Sequence, residues 1–130
     1  MGLNILIVDD SAMMRAMIKR VANLCDMPIG TIFEAANGAE ALQVLETEDV
    51  QALFTDINMP VMTGTELLRA ISTDARWKNL LRVIISTDGS EARRNEVRDL
   101  DVRLYVEKPF RPEVMRDVLS ALAAQHAHAR

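Results

Sequence analysis

The chain has 130 residues and a mass of 14.5 kDa, which is enough for one domain with its own hydrophobic core. Nineteen acidic side chains against fifteen basic ones give a formal net charge of −4, which argues against binding nucleic acid or an anionic membrane through overall charge. The single cysteine, Cys25, excludes an internal disulfide, and no segment has the roughly 18 consecutive apolar residues of a membrane span, so we expect a cytoplasmic protein.

Five apolar runs alternate with helical patterns along the chain, and they predict five strands. The first run is almost continuously apolar, which is typical of a strand buried on both faces of a parallel sheet. Strands that alternate with helices predict a doubly wound α/β fold with right-handed crossovers. The predicted strands are 3–8, 31–35, 50–55, 81–86 and 102–106.

The helix after the first strand is predicted by its cap and its apolar spacing. Ser11 is a residue type that accepts a hydrogen bond from the free amides at the start of a helix. Apolar residues then recur at spacings of four, four and three, which places them on one helical face that we expect to be buried. These residues are Met13, Met17, Val21 and Leu24.

The remaining helices begin at similar start signals. At two of them a cap residue is followed three positions later by Glu, which predicts a capping box. A proline fits the first turn of the last helix, which has four residues predicted to face inward. Residues 1–124 are the predicted domain, and 125–130 are predicted to be a flexible tail. The start signals are Asn37 with Glu40, Thr63 with Glu66, Ser90 and Pro112, and the inward residues are Met115, Val118, Leu119 and Leu122.

Charged and hydroxyl side chains follow four of the predicted strands at the point where each strand ends. Asp9 and Asp10 follow the first strand, Asp56 the third, Thr87 the fourth and Lys108 the fifth. In an open parallel sheet these ends lie along one edge, where ligands bind. Each residue alone has a simpler explanation as a helix-dipole partner, a turn or cap residue, or a surface lysine. Their shared position favours a single site.

The chemistry of this set points to phosphoryl transfer. Three carboxylates in one crevice repel one another unless a cation neutralises them, and Mg²⁺ takes oxygen ligands and needs only one or two protein carboxylates. Asp56 is the candidate nucleophile, because a carboxylate can accept a phosphoryl group as an acyl phosphate. Lys108 and Thr87 would contact phosphoryl oxygens by charge and by hydrogen bonding.

These residues lie in segments that resemble the receiver domain of two-component response regulators. The segments are 7–11, 36–42, 56–64, 86–87 and 108–110, and the resemblance extends over about residues 3–122. Single-domain chemotaxis regulators are the most similar type. The resemblance implies a flavodoxin-like sheet of five parallel strands in the order 2-1-3-4-5, with five helices.

The resemblance also implies a role for each acidic residue. Asp56 would accept the phosphoryl group from a histidine kinase. Mg²⁺ would be bound by Asp10, by Asp56 and by the backbone carbonyl of Asn58, with Asp9 holding it partly through water. The implied cofactor is therefore Mg²⁺, and the implied phosphodonor is a histidine kinase.

A conformational switch is implied by the same family. Thr87 and Lys108 would contact the phosphoryl group, and Tyr105 would turn inward as Thr87 moves. The peptide bond between Lys108 and Pro109 would be cis, which an X-Pro bond permits at low cost. The implied function is a switch in phosphorelay signal transduction, with chemotaxis as the candidate process, and not an enzyme that acts on a separate substrate.

The output is expected to be contact with a protein partner through the fourth helix, fifth strand and fifth helix, without nucleic acid and without membrane insertion. Basic residues there are either a solvated surface or a docking site for an acidic or amphipathic segment. Two alternatives stay open: a pseudo-receiver that is not phosphorylated, or the receiver fragment of a larger regulator. The basic residues are Arg93, Arg94, Arg98, Arg103, Arg111 and Arg116.

Four positions depart from the usual residues of the family. Asp88 stands where Ala or Gly is usual, and a fourth carboxylate there is expected to slow phosphorylation or alter hydrolysis. Thr63 replaces an Asp but is still suited to cap a helix. Asp101 stands where Gly is common, and Asp tolerates a positive φ better than most residues. Glu107 is expected either to pair with Lys108 or to point away from it.

Overall fold

The computed structural model describes residues 2–128 and has a five-stranded parallel sheet at its centre. The strand order is the predicted one, second-first-third-fourth-fifth, so the predicted fold class is confirmed. The first and fourth strands have the predicted bounds, whereas the other three start two residues away from the predicted positions. The strands are β1 (Leu3–Val8), β2 (Ile29–Ala35), β3 (Ala52–Thr55), β4 (Leu81–Ser86) and β5 (Leu104–Glu107).

Five α-helices connect and follow the strands, and a single 3₁₀ turn at Ala75–Trp77 precedes β4. No helix within residues 2–128 is both long and apolar enough to cross a membrane. The helices are α1 (Ala12–Asn23), α2 (Gly38–Thr47), α3 (Gly64–Ser72), α4 (Glu91–Glu96) and α5 (Pro112–His128).

Two hydrophobic clusters cover the two faces of the sheet. On one face Ile5 and Ile7 of β1 pack with buried residues of α1 and α5. On the other face Leu6 and Val8 pack with buried residues of α2 and α3. Alternate residues of β1 therefore enter opposite clusters, which explains why this strand is apolar on both faces. The inward residues predicted for α5 are all buried, as expected.

The face predicted for α1 is buried only in part. Val21 packs against the cluster shared with α5, but Met13 and Leu24 are 84% and 72% exposed, and the buried residues of this helix are Ile18 and Ala22. Apolar residues lie on more than one face of α1, so spacing alone does not select the face that is buried. The core takes the face with the small side chain of Ala22, which permits close packing.

The predicted caps are present, one of them in a modified form. Thr63 and Glu66 form a reciprocal capping box at α3, and Ser11 and Ser90 cap α1 and α4. At α2 the Asn37 side chain accepts a hydrogen bond from the Glu40 amide, but the Glu40 carboxylate accepts from the amide of residue 36 instead of closing the box.

The last helix continues beyond the predicted end of the domain at residue 124. It runs to His128, so residues 125–128 of the predicted tail are helical. Residues 129 and 130 of that tail lie outside the described residues.

Candidate functional site

Three carboxylates meet at the carboxyl edge of the sheet. Val8 of β1 pairs with Thr55 of β3, so the residues that follow these strands lie side by side. Asp9, Asp10 and Asp56 each place one carboxylate oxygen within 4.8 Å of the others. The structure therefore brings together the three acidic residues predicted from the sequence.

Asp9 is held in place through both its backbone and its side chain. The residue is buried, and its amide donates to the Ala35 carbonyl of β2 over 3.1 Å. Its Oδ1 accepts from the Ser11 amide at 2.9 Å. Arg15 Nη1 donates to its carbonyl oxygen at 2.6 Å. These contacts leave the other carboxylate oxygen, Oδ2, to face Lys108.

Asp56 is buried at the junction between β3 and the loop that leads to α3. Its Oδ1 accepts from the Ile57 amide at 2.6 Å, and Thr55 Oγ1 donates to its carbonyl at 2.8 Å. A methyl group at position 64 would lie 1.9 Å from that same carbonyl. Gly64 thus permits the start of α3 to pack directly against Asp56.

Lys108 joins two of the three carboxylates. Its Nζ lies 2.7 Å from Asp9 Oδ2 and 2.9 Å from Asp56 Oδ2. Burial alone would lower the pKa of Lys108, but the hydrogen bonds to both carboxylates outweigh it, so the pKa is raised. One ammonium against three carboxylates leaves an excess of two negative charges at this edge.

The donor set fits a hard divalent cation. Oxygen ligands on three neighbouring carboxylates, with Asp10 exposed to solvent, suit Mg²⁺, which keeps several water ligands. Asn58, two residues after Asp56, is exposed, and its backbone carbonyl stays a predicted ligand.

The two predicted switch residues lie on neighbouring strands. Thr87 is exposed directly after the end of β4, and Tyr105 is half-buried in β5. The Tyr105 hydroxyl donates to the carbonyl of Asp88, the residue after Thr87, so the ring is turned toward the loop between β4 and α4. Burial raises the pKa of the Tyr105 phenol. The peptide bond between Lys108 and Pro109 is cis, as expected.

The Asp88 carboxylate is engaged at the start of α4. Its Oδ1 accepts from the Ser90 amide at 3.0 Å, and Arg93 Nε lies 3.3 Å from its Oδ2. The hydrogen bonds from Ser90, and then those from Arg93, hold its pKa below the usual range. Among residues 2–128 the acidic group of the site consists of Asp9, Asp10 and Asp56, and Asp88 is not a member of it.

The other departures from the family pattern also have local explanations. Glu107 pairs with Arg94 at 2.8 Å, and so points away from Lys108. Asp101 has a φ of 57°, the conformation for which a glycine is otherwise favoured. Some basic residues on this side of the molecule are paired with neighbouring acidic side chains, as in the contacts of Arg93 with Asp88 and Glu96.

Two contacts of the site were not predicted from the sequence. Arg15 lies in the first turns of α1, where long side chains point back toward the helix start, and this direction is the signal that places it near Asp9. The bridge from Lys108 to Asp9 joins residues 99 positions apart. No local pattern specifies such a pair, since it depends on the strand order.

The comparisons with known proteins agree with this geometry. The family model described as "Response regulator receiver domain" matches residues 5–120. The chain belongs to the response regulator receiver family. The resemblance inferred from the motifs is thereby confirmed.

Individual relatives cover almost the whole chain. Chemotaxis protein CheY1 of Helicobacter pylori is 34% identical over 121 residues, which are 92% of this chain and 96% of that protein. Chemotaxis protein CheY of Pseudomonas aeruginosa is 36% identical over 120 residues, 92% of this chain and 95% of that one. The solved structure of chemotaxis response regulator CheY4 of Vibrio cholerae has a TM-score of 0.83 at 27% identity, covering 94% of this chain and 99% of that one.

Proposed function

We propose that the chain is a signalling switch controlled by phosphorylation of Asp56 in a magnesium-dependent reaction. The observation that carries this proposal is the group of three carboxylates within 4.8 Å, which a single lysine only partly neutralises. Membership of the receiver family supports it. Chemotaxis is the process we propose, because the relatives reported above are named as chemotaxis proteins.

In the proposed reaction an Asp56 carboxylate oxygen attacks the phosphorus of a phosphohistidine on a histidine kinase. The new P–O bond gives an acyl phosphate, the P–N bond breaks, and the imidazole nitrogen that leaves takes a proton from solvent. Asp9, Asp10, Asp56 and the carbonyl of Asn58 would hold Mg²⁺, whose positive charge would offset the charge of the carboxylates and the phosphoryl oxygens.

Lys108 and Thr87 act directly on the phosphoryl group in this proposal. The Lys108 ammonium already lies 2.9 Å from Asp56 Oδ2, so it is close enough to donate to an oxygen of a group attached there. Thr87, exposed at the end of β4, would donate its hydroxyl to another phosphoryl oxygen. The residues that would bind the phosphoryl group are thus drawn from three strand ends, and the end of β1 supplies Asp9 and Asp10 for the metal.

The conformational response would involve Thr87 and Tyr105. A phosphoryl group that binds the active conformation better shifts the population toward it, and a nearly complete shift needs about 5 kcal/mol of differential binding. We propose that a protein partner then docks on α4, β5 and α5. The exposed arginines there favour an acidic or amphipathic segment of that partner. A cytoplasmic location stays a prediction from the sequence.

A small phosphodonor tests the proposal without requiring the kinase. The full chain is incubated with acetyl phosphate and Mg²⁺, and its intact mass is measured. We expect a gain of one phosphoryl group that is absent in Asp56→Asn and in EDTA. Asp26→Asn, which changes an exposed aspartate before β2, is the matched control and is expected to be phosphorylated normally.

Two results would contradict the proposal. A phosphoryl gain in folded Asp56→Asn equal to that of the unmodified chain would place the acceptor elsewhere. No gain in the unmodified chain with any donor would favour a pseudo-receiver that acts by protein contacts alone.

A further inference from the structure

Arg94 of α4 connects three parts of the molecule around Tyr105. Its guanidinium carbon lies 4.3 Å from the centre of the Tyr105 ring. Its Nη2 donates to Glu107 Oε1 at 2.8 Å, and its Nε donates to the Gly89 carbonyl at 3.0 Å. One side chain therefore joins α4, the loop between β4 and α4, and strand β5.

Tyr105 is in this way held at both its hydroxyl and its ring face. The hydroxyl donates to the Asp88 carbonyl, and the Arg94 guanidinium covers the ring. A methyl group at position 89 would lie 2.1 Å from the Glu107 carboxylate, so a larger residue there would require the Glu107 side chain to shift away from its contact with Arg94.

The stacking and the fork of hydrogen bonds matter more here than the ion pair alone. The side chains of Arg94 and Glu107 are 42% and 57% exposed, and an exposed ion pair contributes little to stability. A planar guanidinium can stack on a ring while donating to two acceptors in its own plane, which lysine cannot do. These contacts fix an orientation at small energetic gain.

We propose that Arg94 is a positioning residue that holds Tyr105 in its inward orientation before Asp56 is phosphorylated. The inference rests on the proposed function, because it takes Tyr105 to be the switch residue. The resting chain then already populates the inward tyrosine. Phosphorylation then causes a smaller conformational change at β5 than it would in a chain whose tyrosine is not held by an arginine.

Neighbouring arginines provide an internal comparison. Arg93 bonds to Asp88 and Glu96, and Arg98 bonds to Asn95. Arg98 borders the same surface groove as Arg94 and Tyr105, but it bonds to Asn95 and not to the tyrosine ring. Arg98→Ala therefore removes a similar charge from the same surface without removing the stacking contact.

The experiment uses the fact that Tyr105 is the only tyrosine of the chain. The full chain is labelled with ring-¹³C tyrosine, so the aromatic NMR spectrum reports this side chain alone. Ring exposure is measured through the relaxation caused by a soluble gadolinium chelate, in the unphosphorylated protein in EDTA. We expect Arg94→Ala to lower the ratio of inward to outward tyrosine by roughly two- to fivefold, the size of one exposed cation–π contact.

Further variants decide the interpretation. Arg94→Lys is expected to lie between Arg94→Ala and the unmodified chain, and Arg98→Ala to match the unmodified chain. Unchanged ring exposure in Arg94→Ala, or an equal increase in Arg98→Ala, would overturn the proposal. If Arg94→Ala unfolds α4, the measurement is made on Glu107→Gln instead. We expect ring exposure to rise in this variant as well, and unchanged ring exposure would overturn the proposal. The NMR measurement is made on the unphosphorylated protein. If the chain cannot be phosphorylated, the proposed function is wrong, but the measured effect of Arg94 on Tyr105 still stands.

Discussion

Two cations with largely inaccessible side chains lie at opposite edges of the sheet and have different surroundings. Lys108 follows β5 at the carboxyl edge, and Arg82 lies near the start of β4 at the amino edge. Their side chains are 11% and 4% exposed. Lys108 faces two buried carboxylates, whereas Arg82 donates mainly to the backbone carbonyls of Trp77 and Leu100.

The comparison shows that a buried charge does not by itself indicate a functional site. At Arg82 burial lowers the pKa, and the charge is accommodated by carbonyl dipoles and by Asp101 at 3.4 Å. Among residues 2–128 the only ion pair of Arg82 is with Asp101, and no group of carboxylates meets at this edge. At the carboxyl edge Lys108 contacts two of three neighbouring carboxylates, and the excess negative charge is what a divalent cation would neutralise.

The largest effect on stability is expected at the amino edge. Arg82→Ala removes the donors to two carbonyls and the packed stem of the side chain, and it should lower the free energy of unfolding by about 3 kcal/mol. Phosphorylation by acetyl phosphate should persist. Urea unfolding measures the loss, with the exposed Arg103→Ala as control. If Arg82→Ala lowers the free energy of unfolding by less than Arg103→Ala does, Arg82 does not stabilise the fold.

A smaller effect, dependent on metal, is expected at the carboxyl edge. Lys108→Met leaves two buried carboxylates without their cation, and it should destabilise the chain by about 2 kcal/mol in EDTA. Mg²⁺ should restore part of this loss, since it can replace the missing charge. Urea unfolding with and without Mg²⁺ measures both, and the exposed Lys78→Met is the control. Equal losses in both conditions would contradict the account.

Removing a carboxylate at the same edge should have the opposite sign. Asp10→Asn relieves repulsion within the acidic group, so the chain in EDTA should be stabilised by about 1 kcal/mol. The additional stability from Mg²⁺ should fall in the same variant. Asp26→Asn serves as the control in urea unfolding. Destabilisation of Asp10→Asn in EDTA would mean that the acidic group is not under repulsion.

The smallest effect is expected at Asp88. Its carboxylate is already paired, so Asp88→Asn should change the phosphorylation rate by less than about threefold. Because the folded state lowers the pKa of Asp88 from its ordinary value of 3.8, its contribution to stability is present at neutral pH and is lost as the pH falls through the lowered value.

Unfolding curves of Asp88→Asn and the unmodified chain should therefore converge in acid. A much faster phosphorylation of Asp88→Asn would instead support the expectation that this carboxylate slows the reaction.

The sequence predicted the elements whose signals are local. The apolar runs of β1 and β4 predicted their bounds, and Ser11 and Thr63 marked the starts of α1 and α3. Asp9, Asp10 and Asp56 could be placed together because parallel strands end at one edge. A positive φ at Asp101 was expected from the residue type.

Features that depend on tertiary packing could not be predicted in this way. The buried face of α1 depends on how α5 packs against Ala22, and the spacing of Met13 and Leu24 suggested another face. The contact of Arg94 with Tyr105 joins two elements whose facing surfaces are set by the fold. The burial of Arg82 also depends on tertiary packing, but here the sequence does carry a local signal, because a charged residue stands within an apolar strand.

The most direct test of the central claim is to locate a bound divalent cation. Mn²⁺ is titrated in place of Mg²⁺ into the ¹⁵N-labelled chain, and paramagnetic broadening of the backbone amides is mapped. The account predicts broadening centred on Asp9, Asp10 and Asp56, and its loss when excess Mg²⁺ competes. Broadening centred on any other group of residues, or none at all, would contradict it.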